Sequence, residues 1–514
     1  MKASVLLACV TINGIWAGSQ LKFPSHFKFG AATSAYQVEG GWNADDKSPS
    51  IWDAYSHSRP NSSETSNGDI ACDSYNLWKE DVKIISDLGL DFYRFSIAWT
   101  RILPRGTPEY ISKSGYTYYS NLIDALLENG IEPVVTMYHW DLPQRFQNMG
   151  GWANSLISDW FADYSRVLFT LFGDRVKTWI TLNEPLLLCI VEYNTEIGPG
   201  TADYDIGNFQ CIKNSIIAHA KAWRLYDQEF RRKFKGRVGI TNLLFHFIPA
   251  TKGDESVTEL AVEFYSGLYT YPILSKNGGW PSAIEKVLAQ NSEKKGYRRS
   301  RLPAFTDEEK KLVRGTADFI GLNYYTSKIV RQAKEHNFDN KTFLEDIPEL
   351  NVILESDPSW KKTCAYNLDQ HPEGLRSLLS WIKKSFGDIE IIIFENGYAN
   401  SVSNLHDQDR VSFFKEHLEQ VLLAIHEDKV NVTGFTAWSL MDVFEWIAGY
   451  KIKFGLYEVD FKSPRRTRTP RDSARYYKHV IRTRSINPPN DNYIPAELYS
   501  CCFSLLSPTT YNVC

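Results

Sequence analysis

Residues 118–140, YYSNLIDALLENGIEPVVTMYHW, decide the fold. Leu122, Ile123, Leu126 and Leu127 recur at helical spacing, so 118–129 reads as an amphipathic helix with one apolar face. Gly130 stops that helix as a C-cap. EPVVTMYHW follows at 132–140 as an apolar strand that ends in His139 and Trp140.

The same punctuation recurs along the chain. It gives eight strand candidates, at 27–36, 91–99, 132–140, 177–183, 236–244, 318–325, 389–395 and 432–440. Most are continuously apolar, as parallel strands are when helices cover both faces. Eight such strands with helices between them predict an α/β fold, a single (β/α)8 barrel with its active site at the C-terminal ends of the strands. A doubly wound sheet is the competing architecture, but the chain carries no GxGxxG or GxxxxGK[ST] phosphate loop. No internal repeat, low-complexity block or linker divides it.

Composition bounds the function. The 514 residues are 43% hydrophobic and 23% charged, with a mean hydropathy of −0.34, which excludes wholesale disorder and a polytopic membrane protein. Lys and Arg number 57 against 61 Asp and Glu, a net charge of −4 that offers no global field to nucleic acid or anionic lipid. The 15 Trp, 28 Tyr and 28 Phe suit both a large core and the walls of a sugar site.

The first residues, with Lys2 ahead of apolar Ala3–Val10 and small Ala17 and Gly18, read as a signal peptide over 1–18 and predict a secreted protein. The barrel is expected over 19–486. A tail over 487–514 reads as a stapled extension or a disordered segment, its apolar stretch too short to span a bilayer. Sequons at Asn61, Asn340 and Asn431 suit glycosylation on a secretory route. Seven cysteines remain after the signal, room for one or two disulfides whose pairing the sequence leaves open, and no Cys/His spacing suggests zinc.

Function is written at the strand ends. Gln37, Arg94, His139–Trp140, Asn183–Glu184, Asn323–Tyr325, Glu395–Asn396 and Trp438 all follow apolar runs, and in a barrel these ends converge on one rim. Glu184 and Glu395 close two of the most apolar runs, where an unpaired charge would be costly. For either acid alone a salt bridge to a neighbouring loop is as good an explanation. As a pair across one mouth they match the two carboxylates of glycoside hydrolysis, one protonated and one ionised, with Arg94 placed to keep a neighbour charged.

At these residues the chain resembles glycoside hydrolase family 1, the β-glucosidase and myrosinase-like family, from about Phe23 to Ile486. TLNEP at 181–185 is similar to the family's acid/base motif and FENG at 394–397 to its nucleophile motif. FKFGAATSAYQVEGG (27–41), YRFSIAWTRILPRG (93–106), YHWDLPQ (138–144), GLNYYTS (321–327) and WSLMDVFEW (438–446) extend the likeness. The resemblance implies that Glu184 is general acid then base and Glu395 the nucleophile. It implies that Gln37, His139 and Asn183 bind glycone hydroxyls, and that Tyr325 and Arg94 orient Glu395. Trp438 would form a hydrophobic wall, with Glu445 and Trp446 on the far hydroxyls. It implies no cofactor and no metal. The expected partner is a small β-glycoside, without nucleic acid or a membrane span, and a homodimer is left open.

The departures fall mainly around the aglycone. Phe394 stands where the family usually has Thr, Val443 replaces an Asn and Lys453 an Arg, and the segment after DPSW (357–360) lacks an expected Trp, with Tyr366 as a substitute. The leading expectation is a secreted retaining β-glucosidase acting on small or aryl β-glucosides. A β-thioglucosidase of the myrosinase type is the near alternative: plant myrosinases have Gln where this chain keeps Glu184, whereas insect-type ones keep the acid. A catalytically idle klotho-like binding module is the distant one, since such forms are expected to lose a catalytic acid.

Overall fold

Apolar runs bounded by turn residues close on themselves in the computed structural model, which describes residues 21–58, 66–194, 198–200, 203, 205–333 and 345–487. Eight parallel strands form a closed barrel: β1 (Lys28–Ala32), β2 (Phe92–Ser96), β3 (Glu132–Tyr138), β4 (Thr178–Asn183), β5 (Arg237–Leu243), β6 (Ile320–Asn323), β7 (Ile391–Asn396) and β8 (Val432–Trp438). Each pairs with its neighbours in chain order, and β8 closes on β1 with Ala32 opposite Trp438. Every residue of β4, β6 and β7 is buried, which explains why these strands read as unbroken apolar runs. Closure removes the doubly wound alternative.

All eight expected strands are present, but six end before the expected bounds, among them β3 at Tyr138, β5 at Leu243 and β6 at Asn323. The first ends at Ala32 and gives way to a helical turn at Ala35–Val38, so Gln37 projects from a turn five residues past the strand. The second ends at Ser96 ahead of a turn at Trp99–Ile102, and the eighth ends at Trp438. Apolar residues at these ends continue into buried loops, so hydrophobicity alone overran the backbone pairing. The helix predicted at 118–129 spans Lys113–Glu128; its C-cap is Asn129, and Gly130 follows at φ +73°, the left-handed position that favours glycine.

Helices wrap the barrel with apolar faces turned inward, as in Pro372–Phe386, which buries Leu375, Leu378, Leu379 and Ile382. Outside the ring, His246–Pro249 pairs in parallel with Ser327–Gln332, and Val352–Glu355 and Asp346–Ile347 extend that sheet antiparallel. Inside the barrel, Phe92, Val134, Ile180, Phe319, Ile392 and Phe394 form a separate apolar plug. Phe394 therefore takes part in filling the interior where the family usually places a hydroxyl. A disulfide joins Cys189 to Cys211, tying the helix Pro185–Asn194 to the helix Gly207–Leu225, while Cys72 is free and buried and Cys364 free and exposed. The expected signal peptide, the tail from 488 onward, Asn61 and Asn340 lie outside the described residues; Asn431 immediately precedes β8 and is half-buried. Among the described residues no helix is long and apolar enough to cross a membrane.

Candidate active site

The C-terminal ends of β4, β6 and β7 bring Asn183 with the following Glu184, Asn323 and Glu395 into one buried hydrogen-bond network, which Arg94 joins from the middle of β2 and not from its expected strand end. Arg94 is its hub. Its Nη1 donates to Glu395 Oε1 at 2.6 Å and to the Phe394 carbonyl at 3.2 Å; Nη2 donates to Asn183 Oδ1 at 2.6 Å, and Nε to Thr136 Oγ1 at 3.1 Å. Tyr325 completes the shell of Glu395 by donating to Oε2 at 2.8 Å. Both Glu395 oxygens thus accept hydrogen bonds, one from a cation.

Glu184 is held differently. It follows β4 at φ +46°, a left-handed conformation rare for a side-chain-bearing residue, and its N–H donates to the Thr241 carbonyl at 2.8 Å. Asn323 Nδ2 donates to Glu184 Oε1 at 2.8 Å and to Asn183 Oδ1 at 3.2 Å. Burial raises the proton affinity of both acids. At Glu184 the charge of Glu395 adds to burial, and only the Asn323 amide and the more distant Arg94 oppose them, so its pKa is pushed up to about 8. At Glu395 the rise from burial is opposed by the charge of Arg94 and by bonds from Tyr325 and Arg94. The surroundings therefore favour the proton on Glu184 and the charge on Glu395.

Asn183 has a fixed orientation, because its oxygen accepts from two donors and its nitrogen must then donate to His139 Nε2 at 3.1 Å. His139 Nε2 is consequently an acceptor and the ring is neutral, in line with burial and the nearby Arg94 driving its pKa well below the usual value. The ring proton then sits on Nδ1, which has no partner among the described residues.

Aromatic rings build the wall. The His139 ring lies 5.9 Å from that of Trp438 and 6.0 Å from that of Trp446, both nearly parallel to it, and Trp446 stacks at 5.0 Å on Trp140. Gln37 Nε2 donates to the Phe444 carbonyl at 3.0 Å and to Glu445 Oε2 at 3.3 Å, while its Oε1 accepts from Ser34. Burial, then the charge of Glu395, raises the pKa of half-buried Glu445. The structure thus gathers Gln37, Arg94, His139, Asn183, Glu184, Tyr325, Glu395, Trp438, Glu445 and Trp446 around one mouth. Tyr366 is 59% exposed, with its hydroxyl on Glu345.

Two contributors escaped a role in the sequence reading. Asn323 ends β6 and was visible as a polar strand end, but only the fold places its amide between Glu184 and Asn183. Trp140 adjoined His139 in sequence; here, at φ +72°, its indole N–H donates to the Asn183 carbonyl at 2.9 Å and so braces the residue beside Glu184. Among the described residues no three His, Cys, Asp or Glu side chains are grouped to hold a metal ion.

Such a mouth, with one neutral and one charged carboxyl beneath aromatic walls, suits acid-assisted substitution at a sugar carbon. The sequence matches the family model described as glycosyl hydrolase family 1 over residues 19–486. The chain belongs to glycosyl hydrolase family 1. It is 43% identical over 468 residues to Myrosinase 1 of Brevicoryne brassicae, covering 90% of this chain and 99% of that protein. It is 41% identical over 479 residues to the cytosolic beta-glucosidase of Cavia porcellus, covering 91% and 100%. A solved aphid myrosinase superposes with a TM-score of 0.85 at 43% identity, covering 90% of this chain and all of that one. This family 1 member is a β-glycosidase: a glycoside hydrolase that acts on glycoside substrates.

Proposed function

We propose that the protein is a retaining β-glucosidase that hydrolyses small or aryl β-glucosides through a covalent glycosyl-enzyme. The observation that carries this is the asymmetry of the two acids: Arg94 and Tyr325 hold Glu395, while an amide holds Glu184. An oxygen of ionised Glu395 attacks the anomeric carbon as the bond to the leaving oxygen breaks, and that oxygen takes the proton of Glu184. The Glu184 carboxylate then removes a proton from water, whose oxygen displaces Glu395 and restores the starting charges. Gln37, His139 Nδ1, the remaining Asn183 amide hydrogen and Glu445 are the groups proposed to read glycone hydroxyls, with Trp438 and Trp446 under the sugar's C–H face.

Turnover of 4-nitrophenyl β-glucoside, with the product anomer read by NMR before it equilibrates, tests the proposal. The β-anomer of glucose is expected first, and Glu395→Gln is expected to be inert. A first-formed α-anomer, or a wild type as inactive as the variant, overturns it.

A thioglucosidase reading is favoured by one observation, the 43% identity to Myrosinase 1 against 41% to a beta-glucosidase. Retention of Glu184 favours an oxygen leaving group, because a thiolate departs without a proton. Side-by-side rates on an aryl O-glucoside and a glucosinolate decide between them.

We further propose secretion and glycosylation at Asn61, Asn340 and Asn431. The Cys189–Cys211 disulfide supports an oxidising compartment, and the basic-then-apolar first residues support a signal. A mature N-terminus near residue 19 and a mass drop on enzymatic deglycosylation are expected from protein recovered outside the producing cells.

A further inference from the structure

A second concavity lies at the barrel's edge, between the helix Ser74–Leu88 and the helix Lys113–Glu128. It has a volume of about 730 Å3, in the range of small-ligand sites, and shares no lining residue with the network around Glu184 and Glu395. Both helices contribute their N-terminal turns, and a helix that follows a barrel strand starts at that strand's C-terminal end. The groove therefore opens on the same end of the molecule as the active site.

Its lining has a definite chemistry. Tyr75, Trp78, Tyr110 and Tyr118 supply four aromatic rings, and Asp45 and Asp46 supply carboxylates. Trp78 is half-buried and Tyr110 is 42% exposed, so ring surface is open to a ligand. The floor is braced from within: the Arg101 guanidinium lies 4.1 Å from the Tyr75 ring centroid and 5.8 Å from that of Tyr118, and its Nε donates to Glu39 at 2.9 Å. Tyr110 donates to Asp46 Oδ2 at 2.8 Å, and Ser114 to Asp46 Oδ1 at 2.8 Å, so rings and carboxylate are fixed relative to one another. Arg101 and Glu39 thus connect this floor to the segment that carries Gln37.

We propose that this groove is a second carbohydrate site, one that holds a short, uncharged oligosaccharide outside the catalytic mouth. Flat rings pack on the C–H faces of pyranoses, as the aromatic wall of the active site does, and carboxylates accept their hydroxyl hydrogens. Two aspartates against the single Lys113 give the lining a net negative charge, which disfavours anionic polymers and leaves a neutral polyol as the complementary ligand. Such a site raises the residence of a soluble glycan near the mouth without touching the reacting atoms.

The test is calorimetric titration of cellotetraose and of laminaritetraose into the full-length Glu395→Gln protein and into the same protein carrying Trp78→Ala. One binding event is expected to weaken by about tenfold or more with Trp78→Ala. Trp78→Ala in the wild-type background should leave aryl-glucoside turnover within about twofold, which reports an intact fold and separates failure here from failure of the glycosidase reading. A Tyr110→Ala variant should repeat the loss. Unchanged stoichiometry and affinity in both variants overturn the proposal. So does a change in sedimentation with Trp78→Ala while sugar binding is untouched, because the groove would then be covered by a second copy.

Discussion

Arg94 Nη1 donates to Glu395 Oε1 at 2.6 Å, whereas the amide Nδ2 of Asn323 donates to Glu184 Oε1 at 2.8 Å. A cation on one acid and a neutral dipole on the other separate their proton affinities in a site where burial raises both. Arg94→Met removes the cation while keeping much of the stem. Glu395 should then hold a proton to higher pH, and the acidic limb of the kcat/KM profile should move up by about one pH unit or more. A limb that stays in place would mean that another group sets it.

In the proposed mechanism the basic limb belongs to Glu184. Its pKa of about 8 means that the acid is spent as pH rises through that value, and activity on substrates with poor leaving groups should fall there. Glu184→Gln should lower turnover of such substrates by about 10²–10⁴-fold and remove the basic limb. An activated dinitrophenyl glucoside needs no proton to leave, so its glycosylation step should be nearly spared. Equal losses on both substrates would contradict the assignment.

Much of this was legible in the chain because the barrel repeats one local rule. Most strands are apolar through their length and polar where they end, so Asn183, Glu184 and Glu395 announced themselves by position, whereas Arg94 stands in the middle of β2 and not at its end. What stayed hidden depends on three dimensions. The bridging role of Asn323 arises because β6 lies between β5 and β7 in the closed sheet, next to the strand that bears Glu395. The partnership of Cys189 with Cys211 needed the packing of the two helices that carry them. Gln37 reads as a strand end because the expected strand runs to Tyr36, yet strand pairing stops at Ala32, the buried polar residues Thr33 and Ser34 follow, and a helical turn delivers the amide.

Glu192 makes stability fall with pH. Both carboxyl oxygens are buried without a partner among the described residues, and desolvation alone pushes the pKa up to about 8 from an ordinary 4.5. Between those values the native chain keeps a proton that the unfolded chain has lost, so this contribution is whole below 4.5 and disappears as pH rises through 8. Glu192→Gln should therefore stabilise the fold at pH 8, by about 1–4 kcal/mol, with the gain vanishing toward pH 4. Denaturant midpoints at the two pH values measure it; a gain equal at both would refute the linkage.

The Cys189–Cys211 bond closes a loop of 22-residue separation and ties down the helix that begins immediately after Glu184. Replacing both cysteines by alanine should cost about 3 kcal/mol through the unfolded chain's regained freedom. Because Glu184, the proposed acid, immediately precedes that helix, kcat for substrates with poor leaving groups should drop more than kcat for activated ones. A uniform drop across leaving groups would confine the bond's role to stability.

Phe394 sets the last expectation. Its ring meets Phe319 at 5.8 Å and Phe92 at 6.4 Å inside the barrel, and the Arg94 guanidinium lies 5.6 Å from its centroid. The interior is tight on this side: a Cβ on Gly321 would collide with Thr241 Oγ1 and come within 2.9 Å of the Phe394 ring. Phe394→Thr deletes most of that ring from a plug walled by strand backbones, which cannot close in to fill the void. The variant should lose about 2–4 kcal/mol of stability. The hydroxyl of Thr241 is buried without a partner among the described residues, so a threonine that reached it would offset part of the loss. Activity should respond less, because Arg94 contacts position 394 through its backbone carbonyl and Glu395 through its own carboxylate, and both bonds survive the change. A lowered denaturation midpoint with kcat/KM within about tenfold of wild type is expected; full stability with lost activity would instead place Phe394 in the chemistry.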